Sequence, residues 1–313
     1  MIGYALRRLA SGAITVWFIA TATFVAMHAV PGNPLLSGKS TSPEIRRNLM
    51  HHYGLDQPVS RQYVIYLANM AKGDFGISFI EKNRRVNDII REHFPVSAML
   101  GLLALAIAVA GGILFGALSA LYRGRLADGA IMFGVVLAIS VPSFVFATYG
   151  QRVLLQLKDW LGYSLLPIAG WGSFSHMILP ALVLGLGTMA YLARLMRSSM
   201  LEVATADFLR TATAKGLSAR RIFFRHQLRN AILPLITVLG PAIAAITTGG
   251  FVVELVFSIP GLARYFVQAV QQLDYTVIMG TTVFYGAFLV SIVIAVDILY
   301  GLIDPRISVR ATK

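Results

Sequence analysis

The chain has 313 residues, 57% of them hydrophobic and 13% charged, with a mean hydropathy of +0.70. A soluble domain carries about 45–50% apolar and about 25% charged residues, so an ordinary soluble globular protein is excluded. The net charge of +13 raises nucleic-acid binding, which only its distribution along the chain can decide.

Stretches without Asp, Glu, Lys or Arg run over 9–38, 93–122, 129–151, 160–193, 230–253 and 275–296. Each of the six has at least 22 residues, and a helix of that length rises about 33 Å against a hydrocarbon core of about 30 Å. The expected fold class is therefore an all-α membrane protein with six transmembrane helices. Arg7 and Arg8 precede the first run, as in a secretory signal. Its apolar part, Leu9 to Val30, is too long for a signal, and Met27-His28-Ala29 is not a cleavage site. It reads as a retained first span. Cysteine is absent, which excludes disulfides and thiolate metal sites.

The loop that follows, about residues 31 to 95, is too long for a simple connection and needs structure of its own. It opens on Pro31-Gly32-Asn33-Pro34, a helix stop and turn. Gly32 to Ser40 ends in Gly-Lys-Ser like a phosphate loop, but five residues separate its glycines and it follows an apolar helix where a strand is needed. Gln62 to Ala71, with Tyr63, Tyr66, Leu67 and Met70, is too short to cross and reads as an interfacial or packed surface helix. Gly185 to Ala190 formally matches a dinucleotide fingerprint inside an apolar span. There, as at Gly112 and Gly116, small residues point to close helix packing.

Between the fourth and fifth spans lies a polar loop, Arg194 to Asn230, punctuated like two short helices. Ala204 to Lys215 has good helix formers, with Asp207 early, Lys215 in the last turn and Gly216 beyond as a stop. Ser218 is placed to cap a second helix with Ile222, Leu228 and Ile232 on one side. Arg221, Arg225 and Arg229, at i, i+4, i+8 on the other, face lipid phosphate or acidic protein. Such an elbow between two membrane helices suits the receipt of a mechanical push.

With the N-terminus inside, the inside segments hold 15 Lys and Arg and the short outside segments 3. The other 9 lie in the first loop, which is too long for its charge to control orientation. This puts both ends inside and accounts for the basicity as topology, leaving no role for nucleic acid. Glu254 and Asp297 sit at the edges of the last two apolar runs. Structural pairing or helix-end hydrogen bonding is favoured for both over substrate binding.

Glu202-Val203-Ala204, Gly216 and Ile232-Leu233-Pro234 resemble the EAA coupling loop of permease subunits in binding-protein-dependent ABC importers. The likeness covers nearly the whole chain and narrows to the oligopeptide/dipeptide branch. It is carried by Tyr53 to Pro58, Gly73 to Gly76, Pro142-Ser143-Phe144, Arg197 to Met200, Arg210-Thr211-Ala212, Ala214 to Leu217, Arg229-Asn230-Ala231, Pro260-Gly261-Leu262, Asp274-Tyr275 and Asp304-Pro305-Arg306. Thr213 departs from the pattern, standing where similar members usually carry Arg.

The resemblance implies a type-1 importer membrane fold in a bacterial cytoplasmic (inner) membrane. It implies pairing with a second, homologous permease, two ABC ATPases docked inside, and an extracytoplasmic binding protein that delivers peptides. ATP and Mg would be bound by the ATPases, and this chain would hold no cofactor, metal or catalytic residue. The coupling helix maps to about Thr205 to Gly216, with Glu202, Ala204, Asp207, Arg210, Thr211, Ala212, Ala214, Lys215 and Gly216 as ATPase-coupling residues. The implied organisation is 1–93 for the first helix and long loop, 94–304 for the transmembrane domain with its coupling loop at about 197–234, and 305–313 for a cytoplasmic tail. Substrate-binding residues are not assigned. Nickel chelates, glutathione or other small cargo are alternatives within the family. A secondary transporter or channel is the rival outside it, and an intramembrane enzyme using Ser140, Ser143 and His176 lacks a G-x-S-G signature.

Overall fold

The computed structural model describes residues 2–29, 54, 56–81, 83–248 and 250–303. Among them the regular secondary structure is helical, apart from an isolated Ile77–Arg85 bridge. Gly32 to Ser40, Tyr53 and Asp304-Pro305-Arg306 lie outside the described residues. In order the helices are α1 (Ile2–Ala29), α2 (Val59–Ala71), α3 (Val86–Leu121), α4 (Leu126–Ser140), α5 (Ser143–Leu161), α6 (Phe174–Val203), α7 (Asp207–Ala214), α8 (Ala219–Arg221), a π-helical stretch (Ile222–Gln227), α9 (Leu228–Ala231), α10 (Leu233–Thr248), α11 (Phe251–Val256), α12 (Leu262–Gln272) and α13 (Tyr275–Ile303). Two compact units are formed, one by Met1–Val96 with Gly261–Lys313 and the other by Ser97–Pro260.

Four of the six charge-free runs fall on helices long and apolar enough to cross a bilayer, at Leu6–Ala29, Val86–Leu121, Phe174–Val203 and Tyr275–Val296. The third run, 129–151, is not one straight helix: α4 and α5 meet at 110°. Pro142 lacks a backbone N–H and forces the residue before it out of the helical region, and Val141 is extended at ψ 126°. The fourth run is displaced. Its residues 160–173 are the end of α5 and a connector beginning at Gly162, and α6 then continues past the apolar stretch through Arg194 and Arg197 to Val203. The fifth is divided between α10, of 16 residues, and α11.

In the first unit α1 packs along α13, and α2 packs on α1. The Tyr63 hydroxyl lies 2.7 Å from Thr21 Oγ1, and Phe24 stacks on Tyr66. Tyr63, Tyr66, Leu67 and Met70 are all half-buried, which fits the expected interfacial or packed surface helix. Asp274 is buried and organises the return of the long loop: its carboxylate accepts hydrogen bonds from the Ser78 hydroxyl and from the backbone N–H of Phe79, Ile80 and Val277.

In the second unit α3 and α6 approach backbone to backbone. A Cβ on Gly116 would lie 2.5 Å from the Ala193 carbonyl oxygen, and one on Gly185 2.7 Å from that of Ala104. The fingerprint-like run is thus a packing surface, as expected. The connector before α6 is held by Gln151, whose amide donates to the Ile168 and Val256 carbonyls, and by the Gly170 N–H on the Phe257 carbonyl at 2.8 Å. His176 belongs to a helix cap: its Nδ1 accepts from the Ser173 N–H at 3.3 Å. Glu254 is buried on α11, and the side chain of Asp297 lies outside the described ones.

Candidate coupling site

The polar loop is an exposed short helix mounted on a packed base. At the end of α6 the Ala204 N–H still bonds Met200, while the Thr205 N–H and hydroxyl close on the Glu202 carbonyl. Ala206 is then extended, at ψ 141°, and the chain turns. The helix expected from Ala204 therefore begins three residues later, at Asp207; alanine propensity favoured continuation, but the tertiary path needs a corner. Glu202 and Ala204 lie on the helix end and turn that feed α7, not on α7 itself.

Along α7, Asp207, Phe208, Arg210, Thr211, Thr213 and Ala214 are exposed, whereas Leu209 and Ala212 are turned inward. Asp207 and Arg210 pair on the outer face at 3.6 Å, both largely in solvent. The helix ends in the motif that glycine permits. Gly216 is left-handed at φ +76°, its N–H bonds the Thr213 carbonyl at 2.9 Å, and the Leu217 N–H reaches back to Ala212 at 3.3 Å. The acid near the N-terminus and Lys215 at the C-terminus complement the helix dipole. Phe208, not selected from the sequence, puts an aromatic ring on the exposed surface; projecting the sequence on a helical wheel with Leu209 inward would have found it.

The base is the second helix, whose character differs from the regular helix expected. Ser218 stands at its N-cap position without a side-chain cap bond, and six residues, Ile222–Gln227, are π-helical. The wider turn changes the register, so that Phe223 in place of Ile222 joins Leu228 and Ile232 against a core of Leu192, Met196, Met200, Ala231 and Leu235. The Gln227 amide donates to the Met200 carbonyl at 3.1 Å. Arg221, Arg225 and Arg229 are all exposed, as their spacing required.

A second fixture secures α6 just before the loop. The Arg197 guanidinium grips Asp128 of α4 with two hydrogen bonds of 2.9 Å, from Nε to Oδ1 and from Nη2 to Oδ2. Asp128 is buried and also accepts from the Ser119 hydroxyl at 2.5 Å and the Gly124 N–H at 3.0 Å. Arg197 was visible in the sequence as a motif residue. Asp128, 69 positions away, was not, although it is the one acid beside the short α3–α4 turn. The exposed helix is thus mounted on a base packed against the membrane-length α3 and α6, and the ion pair ties α6 to the shorter α4.

The family described as "Binding-protein-dependent transport system inner membrane component" matches residues 112–309, and its N-terminal counterpart matches residues 1–101. The chain is 45% identical over 99% of both chains to the dipeptide transport system permease protein DppB of Bacillus subtilis. It is 41% identical to the oligopeptide transport system permease protein OppB of Haemophilus influenzae, over 98% of this chain and 99% of that one. A chain of the MetNI methionine ABC transporter, solved in inward-facing conformations, shares the fold at a TM-score of 0.52 and 17% identity, over 72% of this chain and 96% of that one. With family matches along nearly its whole length and relatives of this identity, the chain is a multi-pass membrane protein that belongs to the binding-protein-dependent transport family, the permease subunits of ABC importers.

Proposed function

We propose that the chain is one of two related permeases in an importer that carries di- and oligopeptides across the bacterial cytoplasmic membrane. An extracytoplasmic binding protein delivers the cargo, and two separate ATPases bind ATP and Mg and supply the energy. The observation that carries this reading is end-to-end identity of 45% with a permease named for dipeptide transport, with no gap large enough to hold a different domain. The reading includes six crossings with both termini cytoplasmic, supported by the 15 to 3 distribution of cations. It divides the chain into 1–93, 94–304 and the tail 305–313. In it α7 docks on an ATPase through Asp207, Arg210, Thr211, Ala214, Lys215 and Gly216, while Glu202 and Ala204 shape its entry and Ala212 seats it. Thr213, exposed in place of arginine, gives that surface one cation fewer.

The test is uptake by proteoliposomes containing the assembled complex, with the binding protein and ATP supplied on their proper sides. A labelled dipeptide should accumulate only when both are present. Accumulation of a nickel chelate or glutathione in place of peptides would assign the cargo otherwise, and peptide flux without ATP would favour a secondary transporter.

A further inference from the structure

The helix α2 belongs to the long loop, yet it packs against the second half of α1, a helix long and apolar enough to cross a bilayer. The α1–α13 pair sets the scale. Gly286 stands at the middle of the apolar stretch Tyr275–Val296, and a Cβ there would lie 2.8 Å from Ile19 Cδ1, so Ile19 marks the midplane. Gly12 meets Val290 and Ile294, which makes the two helices antiparallel and confirms the register. Thr21, Phe24 and His28 follow Ile19 by two, five and nine positions. At 1.5 Å per residue they stand roughly 3, 8 and 14 Å from the midplane, inside a hydrocarbon half-thickness of about 15 Å. These are the residues α2 touches: Tyr63 on Thr21 at 2.7 Å, Tyr63 and Tyr66 on the Phe24 ring, and Gln62 on His28 at 3.2 Å.

The opposite face of α2 fits the same environment. Val64 is 64% exposed and Ile65 44%, and Ala68 continues the strip one turn on. No charged residue lies between Arg61 and Lys72, which are exposed at the two ends of the helix. An apolar strip with a cation at each end is the pattern of a helix lying in a leaflet, its cationic side chains reaching outward to phosphate. We infer that α2 is embedded in one leaflet of the bilayer against α1, with Val64, Ile65 and Ala68 on acyl chains and Arg61 and Lys72 at lipid headgroup phosphates. The partner of this face is lipid, and the long loop is thereby fixed at its base. The inference rests on α1 and α13 as membrane spans.

Because the chain has no cysteine, a nitroxide can be attached at Val64→Cys, Ile65→Cys or Ala68→Cys in the assembled complex, once the other subunits' cysteines are replaced. The complex is reconstituted in phosphatidylethanolamine–phosphatidylglycerol vesicles, and collisions with oxygen and with a water-soluble nickel chelate are compared. Phe18→Cys, on an exposed face of α1, is the lipid reference. The expected result is oxygen collisions exceeding nickel collisions severalfold at all three positions, as at Phe18. Nickel-dominated collisions at 64, 65 and 68 with Phe18 still oxygen-dominated would place the face in water and overturn the inference alone. Protection from both reagents would show a protein partner there, and would also overturn it. A nickel-dominated Phe18 would overturn the inference together with the span reading beneath it.

Discussion

At the scale of single residues, Gly216 and Asp128 do unlike work. Gly216 sits at φ +76° and open space surrounds it, so a side chain there meets no clash and acts only through the backbone. A β-branched residue resists that conformation at a cost of about 1–3 kcal/mol. Gly216→Val should fray the end of α7 while the permease still reaches the membrane at normal abundance. Uptake should fall sharply, which membrane immunoblotting and peptide uptake together would establish. Asp128 is different because it is buried and shares its carboxylate among Arg197, Ser119 and Gly124. Asp128→Ala leaves Arg197 without its fork partner, and we expect complex abundance to drop several-fold. The exchange Asp128→Arg with Arg197→Asp should restore part of it, as blue native gels would show. Equal losses in the single and exchanged variants would mean that the pair is not coupled.

At the scale of elements, the glycines of α3 decide how closely α6 can lie. Gly116→Leu places a branched side chain where even a Cβ stands 2.5 Å from the Ala193 oxygen and from Met196 Cβ. Overpacking of this kind costs about 1–3 kcal/mol, so the melting temperature of the purified complex should fall, whereas Gly129→Ala, which meets nothing within 4 Å, should leave it unchanged. The elements also show what a sequence discloses and what it withholds. Helix ends were legible where a local residue dictates them, as at Gly216, and the packing role of Gly185 followed from its apolar setting. The α4–α5 corner was missed because counting charges ignores Pro142, whose consequence is geometric. The π-helical stretch has no local signature, since propensity does not distinguish a π turn from an α turn. The Asp128–Arg197 pair joins positions 69 apart, and no periodicity reports on that.

At the scale of the molecule, the proposed topology places Asp56 outside and Ala219 inside, and both are exposed. In intact cells an impermeant maleimide should modify Asp56→Cys, and Ala219→Cys only after the membrane is opened. The pathway is shared with a second permease in this account, and the runs 230–253 and 275–296 carry no charge to form a tight polar site. Asp297→Asn should therefore keep the peptide preference of the complex. A changed preference at normal abundance, measured by competition uptake, would assign that acid to the cargo.

In the proposed importer α7 receives the ATPase stroke. The most direct test is ATP hydrolysis and peptide uptake by the reconstituted complex carrying Asp207→Arg. Asp207 is 96% exposed and its pairing with Arg210 lies on the surface, so the substitution should leave assembly of the membrane helices intact. Uptake should collapse, and hydrolysis should either disappear with the docked ATPase or continue without responding to the binding protein. Full uptake with full stimulation of hydrolysis by the binding protein would contradict that role and reduce α7 to an ordinary solvated connection.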